Sequence, residues 1–508
     1  MSALREAVDR VLATPAWQPV NASVLGSLGV QVTDITADSR EVGPGVTFAA
    51  VPGERRDGRE FIASAISAGA NAVLWEREGF SWSDEWRVPN LPVAGLRASL
   101  GPIASLVYGR PSERLWVVGV SGTNGKTSCS TWIAQALTKL GKKAAVVGTL
   151  GSGLIGPLRG ELEEATHTTP DAVRLQRLFA QFARAGADCV AMEASSHGLE
   201  QGRVNGVVFD VALFTNLSRD HLDYHGDMVS YAAAKARLFA MPGLRAAVLN
   251  IDDEFGALLA SSLRGSGVEV ITYGIGVGDL RAEDLQLGGG IRMNVAYGGK
   301  RVALVSSLLG AFNAHNLLGV IGVLLASGVA LADAARVASE LTPVAGRLQQ
   351  LGGGDLPLVA IDYAHTPDAL EKVLATLRPV VAPGGRLICV FGCGGDRDRG
   401  KRPLMGNIAA RLADLAIVTS DNPRSERPGA IIDEIVAGMG NYLFEVEEVR
   451  EQAIFRAVGE ARSGDVVLIA GKGHEPYQEI QGVRYPFSDA EVAGRALGSP
   501  KEQSPSCA

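Results

Sequence analysis

The sequence contains little cysteine, and no two cysteines form a C-x-x-C pair. Its 508 residues include five cysteines, an odd and sparse set. Such a set does not fit a disulfide framework and indicates a reducing compartment. The spacing of Cys389 and Cys393 is not that of a standard zinc pair, and we predict that they lie where a buried strand enters a glycine turn. The others are Cys129, Cys189 and Cys507.

Long apolar runs and an excess of positive charge are also absent. No segment approaches the roughly 18 uninterrupted apolar residues of a membrane-spanning helix. The opening segment, MSALREAVDRVLATP, carries charges throughout and lacks the apolar centre of a signal peptide. The formal net charge of -7 argues against a general nucleic-acid-binding protein, which usually has a basic surface. We therefore expect a cytoplasmic protein with no membrane span and no nucleic-acid partner.

Short apolar runs alternate with helical patterns along most of the chain. In the middle of the chain these runs are WVVGV, AAVVG, CVAME, VALFTN and AAVLN, and nearer the end they are LVAIDYA, RLICVFG, LAIVTSDNP and DVVLIAG. Strands that alternate with helices predict an α/β protein with parallel, doubly wound sheets. A smaller α/β unit precedes them, with strand-like runs in VTDITADSR, VTFAAVPG and NAVLW. We predict three domains, at residues 1–110, 111–345 and 346–508.

A glycine-rich turn follows the first strand of the predicted central domain. The segment is VVGVSGTNGKTS, and its candidate ATP-binding residues are Gly122, Thr123, Asn124, Gly125, Lys126, Thr127 and Ser128. Glycines allow backbone N–H groups to turn toward phosphate oxygens, and the start of a helix favours negative charge. Lys126 can neutralise β- and γ-phosphates, and the Thr127 hydroxyl can join a Mg²⁺ shell. We predict that this loop binds ATP.

The histidines lie in segments rich in small polar residues, and we predict none inside an apolar helix or strand. The segments are THTTPD, ASSHGL, RDHLDYHG, FNAHN, DYAHTPD and GKGHE. In open α/β sheets ligands bind at the carboxyl ends of the strands, where loops of this composition collect. The repeated pattern favours a functional rather than a structural role for these loops.

Over nearly its whole length the chain resembles a known family, the Mur ligases. The resemblance rests on a series of segments in order, namely GTNGKT, HTTPD, EASSHGLEQGR, NLSRDHLDYHGD, YAAAKARLF, AFNAHN, AGR, DYAHTPD, FGCGGDRDRGKRPLM, DNPR and GKGHE. It implies a three-domain architecture, with an N-terminal domain for the UDP-MurNAc substrate, a central P-loop ATPase domain and a Rossmann-like C-terminal domain for the incoming amino acid.

The resemblance also implies a reaction, the ATP-dependent ligation of meso-2,6-diaminopimelate to UDP-N-acetylmuramoyl-L-alanyl-D-glutamate in peptidoglycan synthesis. ATP phosphorylates a substrate carboxylate, an amine attacks the acyl phosphate, and phosphate leaves. Such chemistry needs charge neutralisation and alignment more than a protein nucleophile. The family further implies Mg²⁺ as cofactor and a monomeric enzyme.

Four residues are implied to be catalytic by the resemblance. Lys126 belongs to the phosphate loop, and Glu193 and His221 match the metal-binding positions of the family, where Thr127 also contributes an oxygen. Lys235 matches a lysine that is carbamylated in the family, although the sequence alone would place it on a solvated helix face. As a carbamate it would be an anion able to neutralise and position Mg²⁺.

Further positions match substrate contacts of the family. Those for ATP are Asn316, Arg347 and Asp362, and those for the UDP-MurNAc-dipeptide are Ser39, Thr168, Thr169, Ser195, Gln201 and Arg203. Hydroxyl and amide groups suit sugar and peptide, and an arginine can pair with phosphate or carboxylate. The segment GERRDGR is more charged than in similar proteins, which leaves uridine contacts of Glu54, Arg55 and Arg56 open.

The segment DNPR resembles the members of the family that take meso-diaminopimelate, whereas lysine-adding relatives usually lack the arginine. Diaminopimelate differs from lysine by a carboxylate at its far end, which a guanidinium can bind through two hydrogen bonds. Arg397 matches a contact to carboxylate, Glu475 a contact to amine, and Gly471 a close approach of the backbone. The implied set is Arg397, Asp421, Asn422, Pro423, Arg424, Gly471 and Glu475.

Three alternatives remain open at this point. A lysine-adding ligase is disfavoured by Arg424, and a folylpolyglutamate synthetase-like ligase would not be expected to combine DNPR, GGDRD and DYAHTPD. A nucleotide-binding regulator without catalytic activity would be expected to have lost Lys126, Glu193, His221 or Lys235, and all four are present.

Overall fold

The computed structural model describes residues 2–21, 23–53, 56–156, 162–163, 165 and 167–498. Glu54, Arg55 and Cys507, named above, therefore lie outside the described residues. The chain divides into two compact units, and the three domain boundaries given above stay a prediction. The first unit contains the described residues up to Leu285, with Met293–Leu304 and Ala314–Leu341, and the second contains Gln286–Arg292, Val305–Asn313 and the described residues from Thr342 onward.

A small parallel sheet lies near the start of the chain. The chain begins with α1 (Ser2–Leu12), which packs against the core of the central region, and the elements of the small sheet are α2 (Ser23–Gly26), β1 (Ile35–Thr36), β2 (Thr47–Ala50), α3 (Ile62–Ser67), β3 (Ala72–Glu76), β4 (Asn90–Val93) and α4 (Leu96–Val107). The strands pair in the order β1-β2-β3-β4, each pair parallel. Alternate residues of β3 pack on opposite sides, Leu74 with Ile103 of α4 and Val73 with Ile62 of α3, so this sheet is covered on both faces.

The central region contains a larger sheet with helices between its strands. Its elements are β5 (Trp116–Ser121), α5 (Lys126–Lys139), β6 (Ala144–Gly148), β7 (Gly151–Leu154), α6 (Ala172–Arg184), β8 (Cys189–Glu193), α7 (Ser196–Glu200), β9 (Val211–Phe214), α8 (Leu222–His225), α9 (Met228–Ala236), β10 (Ala246–Asn250), α10 (Glu254–Ser262), β11 (Glu269–Ile275), β12 (Leu280–Gly288), β13 (Gly290–Tyr297), β14 (Lys300–Ser306), α11 (Ala311–Ala326) and α12 (Leu331–Ser339).

The strand order of this sheet places the phosphate loop at its centre. The order is β14-β13-β12-β11-β10-β9-β5-β8-β6-β7, so β5 lies between β9 and β8 and is parallel to both. The parallel strands predicted from the sequence are confirmed. Strands β7 and β11 to β14 were not predicted; β7 pairs with β6 in antiparallel orientation, and β11 to β14 extend the opposite side of the sheet beyond β10.

The prediction that every histidine lies outside an apolar helix is wrong for His315. It lies in the second turn of α11, a helix whose sequence AFNAHNLLGVIGVLLA is apolar over most of its length. The Nε2 atom of His315 is 2.8 Å from Oδ2 of Asp252, on the segment that follows β10. A helix can carry polar residues in its first turns when their side chains find partners on a neighbouring loop, and the small polar composition of FNAHN hid the helix start.

The second unit is built on a six-stranded sheet. Its elements are β15 (Gln349–Gly352), β16 (Leu358–Asp362), α13 (Pro367–Leu377), β17 (Leu387–Phe391), α14 (Lys401–Leu412), β18 (Leu415–Val418), α15 (Pro428–Val436), β19 (Phe444–Val446), α16 (Arg450–Glu460), β20 (Val466–Ala470), β21 (Tyr477–Ile480), β22 (Val483–Pro486) and α17 (Asp489–Gly498). The order is β15-β16-β20-β17-β18-β19, parallel except at β15, while β21 and β22 form a separate hairpin.

Helices cover both faces of this sheet, as the continuous apolar runs predicted. Cys389 and Phe391 of β17 pack on one face, and Ile388 and Val390 pack on the other. Cys393 is also buried, just after the strand, as expected. Among the described residues of the whole chain, no helix is long and apolar enough to cross a membrane.

A buried ion pair joins the last two helices beneath the carboxyl ends of the strands. Arg450 of α16 and Asp489 of α17 are both 0% exposed, and two nitrogens of the guanidinium each donate a hydrogen bond of 2.8 Å to the carboxylate. Arg450 also donates to the carbonyl oxygen of Ala470 at the end of β20. Each charge is therefore compensated inside the core.

Replacing Arg450 by methionine should lower the free energy of unfolding by about 3–5 kcal/mol, because Asp489 would remain as a buried charge without its partner. The matched control is Glu451→Gln, which removes an exposed pair with Arg495 on the same two helices and should cost about 1 kcal/mol or less. Denaturant unfolding of both variants measures the difference. A loss for the Arg450 variant no larger than that of the control would contradict the prediction.

Candidate active site

The phosphate loop has a backbone that requires glycine at two positions. Gly122 and Gly125 have φ angles of +151° and +86°. A Cβ atom on Gly122 would lie 1.9 Å from Oγ1 of Thr215, and one on Gly125 would lie 2.5 Å from Oδ1 of Asn316. The loop is therefore packed closely against the end of β9 and against α11, and α5 begins at Lys126 directly after it. This strand, turn and helix form the phosphate-binding geometry predicted from the sequence.

The phosphate loop is held by its own backbone, by α9 and by the loop after β9. The ammonium of Lys126 donates to the carbonyl oxygens of Gly122 and Thr123 at 3.0 and 2.8 Å. The hydroxyl of Thr123 contacts the hydroxyl of Tyr231 at 3.1 Å, and the backbone N–H of Asn124 donates to Oδ1 of Asn216 at 3.0 Å. The lysine thus lies over the loop, where it can meet the phosphates of a nucleotide.

Glu193 is a candidate metal-binding residue that is almost fully enclosed. It ends β8, is 1% exposed, and accepts a hydrogen bond of 3.1 Å from the Thr127 hydroxyl. Thr149 donates to the same carboxylate from its backbone N–H at 2.7 Å and from its hydroxyl at 3.3 Å. The Thr149 hydroxyl also lies 3.1 Å from the hydroxyl of Thr168. These bonds fix the orientation of the carboxylate beside the phosphate loop.

The sequence alone would place Lys235 on a solvated helix face, but the structure buries it. It is 1% exposed, its Nζ donates to the carbonyl oxygen of Gly122 at 2.7 Å, and it lies 4.4 Å from the ring centre of Tyr231. Burial lowers the pKa of Lys235 well below its usual value; the charge of Lys126 lowers it further, and Asp220 opposes both. The structure therefore places a buried amine, with surroundings that lower its pKa, directly under the phosphate loop.

His221 stands at the start of α8 with a positive φ of 53°. Its Nε2 is 3.4 Å from Oδ2 of Asp220, and its ring packs edge-on against that of His197 at 4.9 Å. Partial burial lowers the pKa of His221. The charges of Lys126 and Lys235 lower this pKa further, whereas the charge of Asp220 raises it. A neutral imidazole is the form that can bind a metal ion.

The oxygen-rich surroundings of the loop fit Mg²⁺, which prefers oxygen ligands and usually keeps only one or two protein carboxylates. Thr127 and Glu193 provide two such oxygens 3.1 Å apart. Within the described ranges, no group of three or more histidine, cysteine, aspartate or glutamate side chains converges as a metal site.

Four of the six residues predicted to bind the UDP-MurNAc-dipeptide are brought together. The Thr169 hydroxyl lies 3.0 Å from that of Ser195, and the Thr169 carbonyl accepts a bond of 2.9 Å from Nη1 of Arg203. Arg203 also donates through Nε to Oε1 of Gln201 at 2.8 Å. The fifth, Thr168, contacts Thr149. Ser39 belongs to a separate 3₁₀ turn, Ser39–Glu41, near the small sheet.

The remaining ATP candidates are distributed over the two units. Asn316 lies in the first unit, against Gly125. In the second unit, the guanidinium of Arg347 stacks 4.8 Å from the ring centre of Tyr363, and Oδ2 of Asp362 accepts from the N–H of Leu348 at 2.8 Å. Burial raises the pKa of Asp362, and the charge of Arg347 opposes that shift.

Arg424 is fixed in the second unit by the loops around it. It follows β18 with a φ of +51°, its N–H donates to the carbonyl of Glu479, and its Nη1 donates to the carbonyl of Gly395 at 2.7 Å. A Cβ atom on Gly394 would lie 2.9 Å from Nη1 of Arg424 and 3.8 Å from Cγ of Arg397. Both predicted arginines therefore flank this glycine, and Arg397 is exposed.

Glu475 and Asn422 face each other across the same loops. Nδ2 of Asn422 donates to Oε2 of Glu475 at 2.8 Å, and the hydroxyl of Tyr363 lies 3.5 Å from Oε1 of Glu475. Gly471 has a φ of +116°, and a Cβ atom there would lie 3.2 Å from Oδ2 of Asp421. The guanidinium of Arg424 and the carboxylate of Glu475, placed around the amide of Asn422, can bind the end of a ligand that carries one carboxylate and one ammonium.

Two residues at these sites were missed by the sequence reasoning. Thr149 directly follows β6, and the rule that polar residues at the carboxyl ends of parallel strands bind ligands could have identified it. Lys472 stands inside the segment GKGHE, between two residues that were predicted, and it is 0% exposed. Lysine is almost never fully buried without a partner, so burial could not be inferred from its position.

The geometry defines a class: a unit with a P-loop joined in one chain to a Rossmann-like unit whose strand-end loops carry polar side chains. The Mur ligase middle domain model matches residues 120–324, the Mur ligase glutamate ligase domain model matches 346–473, and the Mur ligase family catalytic domain model matches 31–108. These matches cover more than half of the chain.

Individual relatives agree with the family models. Proteins from Chromobacterium violaceum and Pseudomonas aeruginosa, each described as a UDP-N-acetylmuramoyl-L-alanyl-D-glutamate--2,6-diaminopimelate ligase, are 53% and 52% identical, covering 96% and 92% of this chain and 98% and 95% of their own. A solved structure with the same description is 37% identical, with a TM-score of 0.68, covering 92% of this chain and 95% of its own. The chain belongs to the Mur ligase family.

Thr149 should contribute to magnesium affinity through Glu193. Thr149→Val keeps the shape and the backbone hydrogen bond but removes the hydroxyl, so we expect the Mg²⁺ concentration for half-maximal ATP turnover to rise about tenfold. The matched control is Thr138→Val, which removes a hydroxyl bonded to the Ala134 carbonyl in α5 and should leave the Mg²⁺ dependence unchanged. A magnesium titration of both variants tests this, and equal curves would contradict it.

Proposed function

We propose that this protein is an ATP-dependent ligase that joins meso-2,6-diaminopimelate to UDP-N-acetylmuramoyl-L-alanyl-D-glutamate. Relatives that carry this description cover nearly the whole chain. The observation that carries the choice of amino acid is the fixed guanidinium of Arg424 on the loop where Asn422 meets Glu475. L-lysine has no carboxylate at its far end for this arginine to bind. We further propose that the protein acts as a monomer in the cytoplasm.

The first unit would carry the phosphoryl transfer. Backbone N–H groups of the loop, the start of α5 and Lys126 surround the phosphates of ATP and favour the charge that develops during transfer. Arg203, with Thr169 and Ser195, would hold the UDP-MurNAc-dipeptide so that its carboxylate meets the γ-phosphate. Bound Mg²⁺ would neutralise phosphate charge, held by Thr127, Glu193, His221 and a carbamate on Lys235.

The second unit would deliver the amine. Arg424 and Arg397 would bind the far carboxylate of diaminopimelate, and Glu475 would accept hydrogen bonds from its ammonium. Gly471 allows the ligand to approach the backbone closely. With one end of the amino acid fixed, the other amine is oriented to attack the acyl phosphate, and phosphate then leaves. Alignment by binding supplies much of the rate, because no protein nucleophile takes part.

Phosphate release from ATP tests the proposed reaction. With UDP-MurNAc-L-Ala-D-Glu present, we expect turnover with meso-diaminopimelate and none with L-lysine or without amino acid, with the product identified by mass. Arg424→Met should raise KM for diaminopimelate about ten- to hundredfold, because a hydrogen bond between charged groups is lost. Arg427→Met, an exposed neighbour, is the control and should behave as the native protein.

Other outcomes of this assay have distinct meanings. Preference for L-lysine would keep the ligase and reject the role of Arg424. Turnover with folate and glutamate instead would indicate the folylpolyglutamate synthetase-like alternative. ATP binding without turnover of any amino acid would favour a nucleotide-binding regulator.

Carbamylation of Lys235 has a separate readout. The neutral form of an amine is the one that reacts with carbon dioxide, and burial shifts Lys235 toward that form, so isotopically labelled bicarbonate should give one carbamate signal in the NMR spectrum of the native protein. Lys235→Met should remove that signal and most of the activity. Lys139→Met, on an exposed stretch of α5, should keep both. A native spectrum without the signal, in an active preparation, would reject the modification.

A further inference from the structure

We propose that Lys472 is a positioning residue for amino-acid binding. It fixes Asn422 and Glu475 in the orientation that receives the end of the amino-acid substrate that carries one carboxylate and one ammonium. The inference rests on the proposed function, since it names a new residue of the same site. The side chain of Lys472 is 0% exposed. It stands between two glycines with positive φ angles, Gly471 at +116° and Gly473 at +56°, which turn the backbone around it.

The ammonium of Lys472 lies among three polar side chains of the site. Its Nζ is 3.0 Å from Oδ1 of Asn422, 3.3 Å from Oε2 of Glu475 and 3.7 Å from Oδ1 of Asp421. A buried ammonium is costly unless such partners compensate it. The two carboxylates would in turn repel each other without a cation between them. The ammonium of Lys472, the amide of Asn422 and the two carboxylates therefore stabilise one another in a single set of orientations.

The hydrogen bonds of Asn422 determine which end of its amide faces the ligand site. Oδ1 accepts from Nζ of Lys472 at 3.0 Å and from the backbone N–H of Glu479 at 2.9 Å. Nδ2 is thereby directed toward Oε2 of Glu475, to which it donates at 2.8 Å. Two donors on one side and an acceptor on the other fix the amide in a single orientation. Loss of Lys472 removes one of the two donors.

Glu475 is oriented by the same lysine. Its Oε2 accepts hydrogen bonds from Nδ2 of Asn422 and Nζ of Lys472, whereas its Oε1 lies 3.5 Å from the hydroxyl of Tyr363. That distance is beyond a normal O–H···O hydrogen bond. With Oε2 fixed in this way, Oε1 is the oxygen able to accept a hydrogen bond from a substrate ammonium. Lys472 thus acts through its neighbours and not by touching the substrate.

The test is a double-mutant cycle on steady-state kinetics with the full-length protein. Lys472→Met should raise KM for meso-diaminopimelate about ten- to hundredfold while changing KM for ATP and for the UDP-substrate less than about twofold. In a Glu475→Gln background the same substitution should change KM for diaminopimelate at least about fivefold less, because its partner is already altered. Lys372→Met, an exposed lysine of α13, is the control and should leave all three constants unchanged.

The outcomes separate the inference from the function on which it rests. A native protein that does not use diaminopimelate overturns the proposed function and this inference with it. A native protein that uses diaminopimelate, with an unchanged KM in Lys472→Met or with fully additive effects in the cycle, overturns the inference alone. Thermal unfolding is measured for each variant; if Lys472→Met does not fold, Lys472→Gln takes its place, with the same direction expected and the same rejecting outcomes.

Discussion

Parallel strands that lie side by side end at the same edge of a sheet, and in each unit that edge carries the candidate functional residues. In the first unit the phosphate loop follows β5, Thr149 follows β6 and Glu193 ends β8. In the second unit Asp362 ends β16, while Asp421 and Gly471 come shortly after β18 and β20. Chain order alone would scatter these residues; strand order brings them together, because the βαβ connections return each strand in the same direction.

Ion pairs compensate the ionisable groups that become buried at these strand ends. Loops at the strand ends pack closely enough to bury ionisable groups, and a buried charge destabilises the fold unless a partner compensates it. Arg402 is an example: it is 0% exposed and donates to the carboxylate of Glu426 at 2.8 and 2.9 Å and to that of Glu434 at 2.8 Å. Glu426 also accepts the N–H of Asp396, so one buried arginine connects the two loops on which Arg397 and Arg424 lie. Stability and site geometry therefore depend on the same contacts.

The sequence predicted the parts of the fold that follow from continuous apolar runs. The strands around the phosphate loop and the parallel strands β16, β17, β18 and β20 of the second unit were found in this way, because strands buried on both faces must be apolar throughout. The short parallel strand β19, which is only partly buried, and strands β11 to β14 were missed. β12, LRAEDLQLG, mixes buried and exposed positions, so its pattern is weak. His315 was misplaced for a related reason, since the polar first turns of α11 resemble a loop.

The candidate site was predicted unevenly, because resemblance transfers residue identities and not environments. Glu193, Lys126 and Arg424 were named from their segments, and the structure gives each a local setting consistent with its proposed role. The burial of Lys235 could not be predicted, since YAAAKARLF, with charged residues at Lys235 and Arg237, has the composition of an ordinary helix. Thr149 could have been found from its position after β6, but the hydrogen bonds of Lys472 depend on separate loops meeting, which only the tertiary structure shows.

The two buried lysines show why burial by itself does not assign a chemical role. Lys235 lies against a backbone carbonyl, with Lys126 nearby, so its surroundings favour the neutral amine. Lys472 is equally enclosed, but its neighbours are two carboxylates and an amide oxygen. A reactive amine and a structural counter-ion can therefore share the same residue type, the same degree of burial and the same position near a glycine turn. The charge of the neighbours decides between them, which is why each lysine has to be tested by a readout specific to its partners.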